Sequence, residues 1–290
     1  MFYLIIISVC AFALNGSSTR FFQLHFANEK HYLPLYQSLF CLIASVAFLC
    51  CSDFSAAPQA DTVLCGIIGG LLFFGASFFS AKGMATGSMA LSSIIVNMSL
   101  ILPVLYSVIL LNESLTAFRI IGFLLFLCTF VLSAGTSKSK NGGGMLWVAF
   151  VALAFLSNGM NAVVTKYYVL NAVLQQRNTF MAITYFTAAL AFLVTYLIKC
   201  KKEPDVHQTS SYFAKLTLIS AISAAGSFGG NLLLTYLADK VDGAILYPCI
   251  NGGLCLLLTV MSCIFFREKL TLKKSIAIAL GCAAIVILNL

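Results

Sequence analysis

Apolar runs of about twenty residues follow one another along almost the whole chain, and short stretches between them carry most of the charge. A helix of about 20 apolar residues crosses the hydrocarbon of a bilayer. The runs predict ten such helices, near residues 2–20, 32–51, 62–82, 88–111, 118–135, 145–166, 178–198, 213–237, 243–266 and 273–290. A membrane-spanning strand would instead alternate polar and apolar over about ten residues, and these runs are apolar throughout. The expected fold class is therefore an all-α integral membrane protein. Most connections are short. Residues 136–144, TSKSKNGGG, have nothing to bury and the composition of a flexible linker. They divide the chain into 1–135 and 145–290, with five predicted helices each.

The polar positions inside the runs repeat between the halves. AFALNG at 11–16 returns as AFLSNG at 154–159, and NESLT at 112–116 returns as REKLT at 267–271, which sets Glu113 against Glu268. At the offset of that second pair, Gly66, Gly69, Gly70 and Gly75 fall on Ala221, Ala224, Ala225 and Gly230. Small residues on one face let helices approach closely in lipid. With an odd number of helices per half, the second copy enters the membrane from the opposite side. Two inverted five-helix repeats with a site between them near the midplane are an architecture of secondary transporters.

Composition narrows the picture further. Hydrophobic residues make up 61% of the 290 residues and charged residues 9%, against about 25% charged in soluble domains. Lipid, not water, is the solvent. The formal net charge is +8, but Lys and Arg sit at the ends of runs and form no basic stripe with interleaved aromatics, so no nucleic-acid partner is expected. Thirteen of the 17 Lys and Arg fall on the side reached after helices one, three, five, seven and nine. The positive-inside rule makes that side cytoplasmic and puts both termini outside. The 11 cysteines include no C-x-x-C pair, and only three His exist; neither a metal site nor a cofactor is expected. The first run lacks a basic start and a small-residue cleavage site, so it reads as a structural helix, not a signal peptide.

Over essentially its whole length the chain resembles the ten-helix EamA-type drug/metabolite transporters. The resemblance is carried by SAKGMATGSMALSSIIVNMSLILPVLYSVILLNESLTAFRIIGFLLFL in the first half and YLADKVDGAILYPCINGGLCLLLTVMSCIFFREKLTLKKSIAIALGCAAIVIL in the second. Each has a small-residue turn, a long helix, a Glu followed by a Leu-Thr turn, and a last helix bearing a Gly (Gly122, Gly281). It implies export or exchange of small metabolites, a plasma-membrane location, and termini in the cytoplasm, opposite to the charge count.

No Asp or Glu falls inside a predicted span, so candidate chemistry rests on amides. Intramembrane polar residues are functional candidates by default. Asn15, Asn97, Asn158, Asn231 and Asn251, with Tyr247 and its repeat equivalent Ser92, are the candidate substrate contacts. An amide offers two donors and an acceptor without burying net charge; the competing role is interhelical glue. Pro248 frees a backbone carbonyl, and Gly252 and Gly253 allow close approach. Glu113 and Glu268 sit at helix ends, where they cap the following helix or gate. Lys82 and Lys166 are read as ending helices three and six, where they snorkel to the interface or charge a cavity mouth. With no midplane carboxylate or His to carry a proton, facilitated movement of a neutral or zwitterionic cargo by a monomer is the expectation. A lipid or lipid-linked sugar flippase on the same fold is the main alternative, ahead of a channel or a non-transporting module. An intramembrane enzyme lacks an activating base in any span.

Overall fold

The computed structural model describes residues 2–25, 32–53, 57–87, 92, 95–113, 116–133, 144–172, 176–202 and 210–265, and within the last segment 276, 279–281, 283–284 and 287. Nine α-helices are numbered among the described residues: α1 (Phe2–His25), α2 (Tyr32–Cys50), α3 (Ala60–Thr86), α4 (Ile101–Leu110), α5 (Ala117–Ser133), α6 (Met145–Asn171), α7 (Arg177–Lys202), α8 (Ser210–Leu237) and α9 (Gly243–Phe265). All regular structure among the described residues is helical. Six spans are long and apolar enough to cross a membrane: Phe2–Gln23, Tyr32–Cys50, Ala60–Thr86, Met145–Asn171, Arg177–Lys201 and Phe213–Leu237. The fold is that of a multi-pass helical membrane protein. Large apolar side chains such as Leu64, Leu146, Val194 and Leu218 are exposed on its outside, where lipid tails meet them.

Two of the predicted elements depart from expectation. The fourth is preceded by a 3-10 turn at Met98–Leu100, part of a shorter apolar stretch, Ile95–Leu110. The tenth, predicted over 273–290, is described only at scattered positions, all helical; there Gly281 lies against Leu256 of α9. The linker lies outside the described residues except for Gly144, whose carbonyl accepts the Trp147 N–H (2.9 Å) at the start of α6.

Helix pairing follows the small residues and hydroxyls. The α1 helix packs on α8 and α9, α3 on α6 and α7, α2 on α7 and α8, and α4 on α6 and α9. A Cβ on Gly70 would lie 2.5 Å from the Thr184 carbonyl oxygen, and one on Gly226 2.5 Å from that of Ala11. Only glycine admits α3 so close to α7, or α8 so close to α1. Hydroxyls add polar ties between helices: Ser38 Oγ donates to the Ala189 carbonyl (2.9 Å), Ser45 Oγ to that of Ala182 (2.8 Å), and Ser8 Oγ to that of Gly230 (3.0 Å). The centre is aromatic, with Phe40, Phe48, Phe180, Tyr185 and Phe192 buried where α2 meets α7.

Candidate functional site

In a helix surrounded by lipid or by other helices, an asparagine should be buried and bonded. Asn97, Asn158 and Asn251 are instead exposed, and they face a common cavity. This cavity measures about 460 Å³ and is lined by α1–α4 and α6–α9; among the described residues α5 contributes none. Asn15, Asn97, Asn158, Asn231, Asn251 and Tyr247 all line it. Periodicity explains the convergence. Asn15, Thr19 and Gln23 recur every four residues along α1, and Asn158, Asn161 and Thr165 at three and four residues along α6, so each set forms a stripe on one helix face. The walls between the stripes are aromatic: Phe12, Phe40, Phe73 and Tyr185. Among the described residues Arg20 is the one charged group in the lining.

The amides are oriented. Asn251 Nδ2 donates to the Tyr247 carbonyl (2.9 Å). Asn231 Nδ2 donates to the Ser227 carbonyl (2.9 Å) and to Tyr185 Oη (2.8 Å). Asn158 Nδ2 donates to Ser99 Oγ (2.7 Å) and the Val96 carbonyl (3.5 Å). A carbonyl can only accept, so each amide must present its nitrogen there and leave its oxygen to the cavity. Asn15 is turned the other way. Its Oδ1 accepts from Thr19 Oγ1 (3.4 Å), at the end of a hydroxyl chain that continues to Tyr36 (3.1 Å) and Ser223 (2.6 Å).

One end of the bundle is closed by polar contacts that cross between the halves. Gln176, preceding α7, accepts from the Gln59 N–H (3.1 Å) and Thr62 Oγ1 (3.3 Å), and donates to the Ala57 carbonyl (3.1 Å). Asn178 Nδ2 donates to the Cys51 carbonyl (2.6 Å), and Tyr168 meets Thr62 at 3.0 Å. At the same end Arg177 pairs with Asp239. The cavity lining runs toward the opposite end, where α1 stops and α2 begins, at Arg20, Gln23 and Gln37.

Glu113 belongs to the closed end. Asn112 adopts φ 53°, the left-handed conformation that ends a helix and that Asn tolerates better than most residues. It turns the chain so that Glu113 N–H donates back to the Ser107 carbonyl (3.2 Å). The carboxylate then meets Lys166 Nζ (3.3 Å) and accepts the Ala244 N–H (3.3 Å) in the first turn of α9. The predicted capping is thus present, but on α9 and not on the helix that follows in sequence. Negative charge suits that helix N-terminus.

Several expected placements are corrected. Lys166 neither ends α6 nor sits at a cavity mouth. It is 3% exposed, one helical turn inside, paired with Glu113, and donates to the Val241 carbonyl (3.1 Å). Lys82, by contrast, is exposed near the end of α3 as its snorkelling reading has it, with its ammonium 5.8 Å above the Phe78 ring; only its cavity-mouth alternative is dropped, because it is not in the lining. Ser92 is fully buried and accepts the Trp147 indole N–H (2.9 Å); sharing a repeat position with Tyr247 did not bring it to the cavity. Gly253 approaches Val9 of α1 (3.1 Å from a built Cβ), so its close contact is to a neighbouring helix, and it is not in the cavity lining. Pro248 and Gly252 are buried in α9 outside the lining. Glu268 lies outside the described residues. Asn161, Tyr185, Arg20 and Gln37 join the lining unforeseen; the polar stripe along α6 was the legible signal for Asn161.

No family model matches the chain, and no curated protein does. Solved structures do match. One crystal structure of a protein aligns with 99% of this chain and 98% of its own, at a TM-score of 0.70 and 19% identity. That likeness shows a shared fold over the whole chain.

Proposed function

We propose that this protein is a secondary transporter of the EamA type, moving a small neutral or zwitterionic metabolite by alternating access, as a monomer in the plasma membrane. The observation that carries this reading is the amide-lined cavity between the halves, closed at one end by contacts that cross between them. Carriers need a central site that opens to each side in turn, and a permanent structural core needs no exposed asparagines. The packing supports two inverted repeats. Exchanging each helix for its counterpart five positions away turns α1–α8 into α6–α3, α1–α9 into α6–α4, and α2–α8 into α7–α3, all of which pack. Gly16 against Leu258 and Gly159 against Leu102 repeat the pattern in detail.

The flippase reading has less support. It calls for basic head-group contacts at a lateral opening, for which Lys82 and Lys166 are the candidates; Lys166 is held in a buried ion pair, while Lys82 is exposed beside Phe78, away from the cavity lining. An apolar crevice between α1 and α9, lined by Ile7, Cys10, Leu14 and Met261 among others, faces outward but carries no charge.

The test is efflux from proteoliposomes loaded with labelled neutral amino acids, without a proton gradient, for wild type and Asn251→Ala. Saturable efflux that the substitution lowers about tenfold or more supports the proposal. Flux that appears only under a gradient overturns the facilitated mode, and flux that never saturates overturns the carrier.

A further inference from the structure

Charge is sorted between the two ends of the bundle. The acidic groups among the described residues, Asp53, Asp61, Glu113, Asp239 and Asp242, all lie at the closed end, and two of them pair with Lys166 and Arg177. At the open end Phe22 of α1 stacks on Tyr36 of α2 (4.4 Å between ring centroids) and clusters with Leu216 of α8. Arg20, Lys199, Lys201 and Lys215 stand around that cluster, on the ends of α1 and α7 and the start of α8. Lys82 reaches the same level. Gly66 faces Ile183 and Gly70 faces Thr187, and the same register continued along α3 and α7 sets Lys82 level with Lys199. Over the whole sequence the side of the open end carries thirteen Lys and Arg against four Asp and Glu, and the other side four against five.

Depth decides what these charges meet. Lys82, Lys201 and Lys215 are exposed. Leu197 and Ile198, just before Lys201, and Phe213 and Leu218, on either side of Lys215, are exposed too, so the lysines stand where the lipid-facing apolar surface stops. The rise from Thr62, at the closed end, to Lys82 is about 30 Å at 1.5 Å per residue, the thickness of the hydrocarbon. That is the level of phospholipid phosphates. We infer that the open end is a contact surface for anionic phospholipid headgroups, carried by Lys82, Lys201 and Lys215, and that it lies on the cytoplasmic leaflet, where such lipids are concentrated. The attraction fades within a Debye length of the surface, so charges at headgroup level contribute and the paired ones of the closed end do not. The cavity then opens toward the cytoplasm, with Arg20, Gln23 and Gln37 at its mouth. The lipid contact does not depend on what the cavity carries, or on whether it carries anything.

The chain supplies its own reporter. Trp147, the only tryptophan, lies at the open end against Gly87, which caps α3 a little beyond Lys82. Full-length protein is placed in bilayers of phosphatidylcholine and phosphatidylglycerol, with bromine on the acyl chains of one lipid or the other. Bromine quenches tryptophan on contact, so the ratio of the two quenching constants reads which lipid gathers at this end. Phosphatidylglycerol should be preferred by about fivefold or more, the effect of one lysine at the surface. The triple variant Lys82→Gln, Lys201→Gln, Lys215→Gln should lower that preference at least about twofold, and raised salt should bring it toward parity. Lys240→Gln, at the closed end, should leave it unchanged. Equal quenching by both lipids, or a preference that neither the triple variant nor salt reduces, overturns the inference. Its second half is read in cells, with a membrane-impermeant maleimide and a chain otherwise cleared of reactive cysteines. Lys215→Cys should react only after permeabilisation, and Lys240→Cys without it. Lys215→Cys labelled in intact cells, or Lys240→Cys labelled only after permeabilisation, overturns the cytoplasmic placement.

Discussion

Lys166 and Glu113 sit together where neither could sit alone. Their side chains are 3% and 11% exposed, so each charge depends on the other and on the backbone groups of Val241 and Ala244. Removing one partner of a buried pair typically costs about 3–5 kcal/mol, while replacing both with apolar groups is often nearly neutral. Lys166→Met should therefore lower thermal stability in detergent sharply, and Lys166→Met with Glu113→Gln should recover most of the loss. A double variant no more stable than the single one would show that the pair is not coupled. Ser92 supports a second prediction of opposite kind. It holds the only Trp of the chain, so Ser92→Ala should shift Trp147 fluorescence and cost about 1 kcal/mol while leaving the half-saturating cargo concentration of efflux unchanged. A raised concentration would place Ser92 back among the cargo contacts.

Helices meet here through absent side chains, and that is where much of the arrangement was legible. Small residues at Gly66, Gly69, Gly70 and Gly75 marked the packing face of α3, which abuts α6 and α7. Gly226→Val should force α8 off α1, because even a Cβ would lie 2.5 Å from the Ala11 carbonyl oxygen. Overpacking of this kind costs about 1–3 kcal/mol, to be read as a lowered melting temperature against Gly144→Ala, a position with nothing within 4 Å. The asparagines were legible for a related reason, since an amide inside an apolar run demands either a partner or water. The direction of a side chain was less so. Lys166 and Ser92 were placed by position along the chain, and rotation about the helix axis decided otherwise. The left-handed turn at Asn112, which aims Glu113 at α9, depends on a three-dimensional neighbour that no local pattern names.

At the scale of the whole molecule, the bundle is asymmetric although its helix pairing is symmetric under exchange of the halves. The polar contacts of the closed end join residues of the first half, Cys51, Ala57, Gln59, Thr62 and Glu113, to residues of the second, Lys166, Tyr168, Gln176, Asn178 and Ala244. In the proposed transport cycle these are the contacts that part when this end opens. Holding this end shut should then stop the cycle without harming the cavity. Asn178 lies against the backbone of Cys51, so Asn178→Cys, in a chain otherwise cleared of reactive cysteines, places two thiols across the closed end. A short thiol-specific cross-linker should arrest efflux, and reduction of the link should restore it. Binding of a labelled neutral amino acid from the opposite side should survive cross-linking. Efflux that continues through the linked protein would mean that this end never opens during transport, and that the two halves do not rock about the cavity.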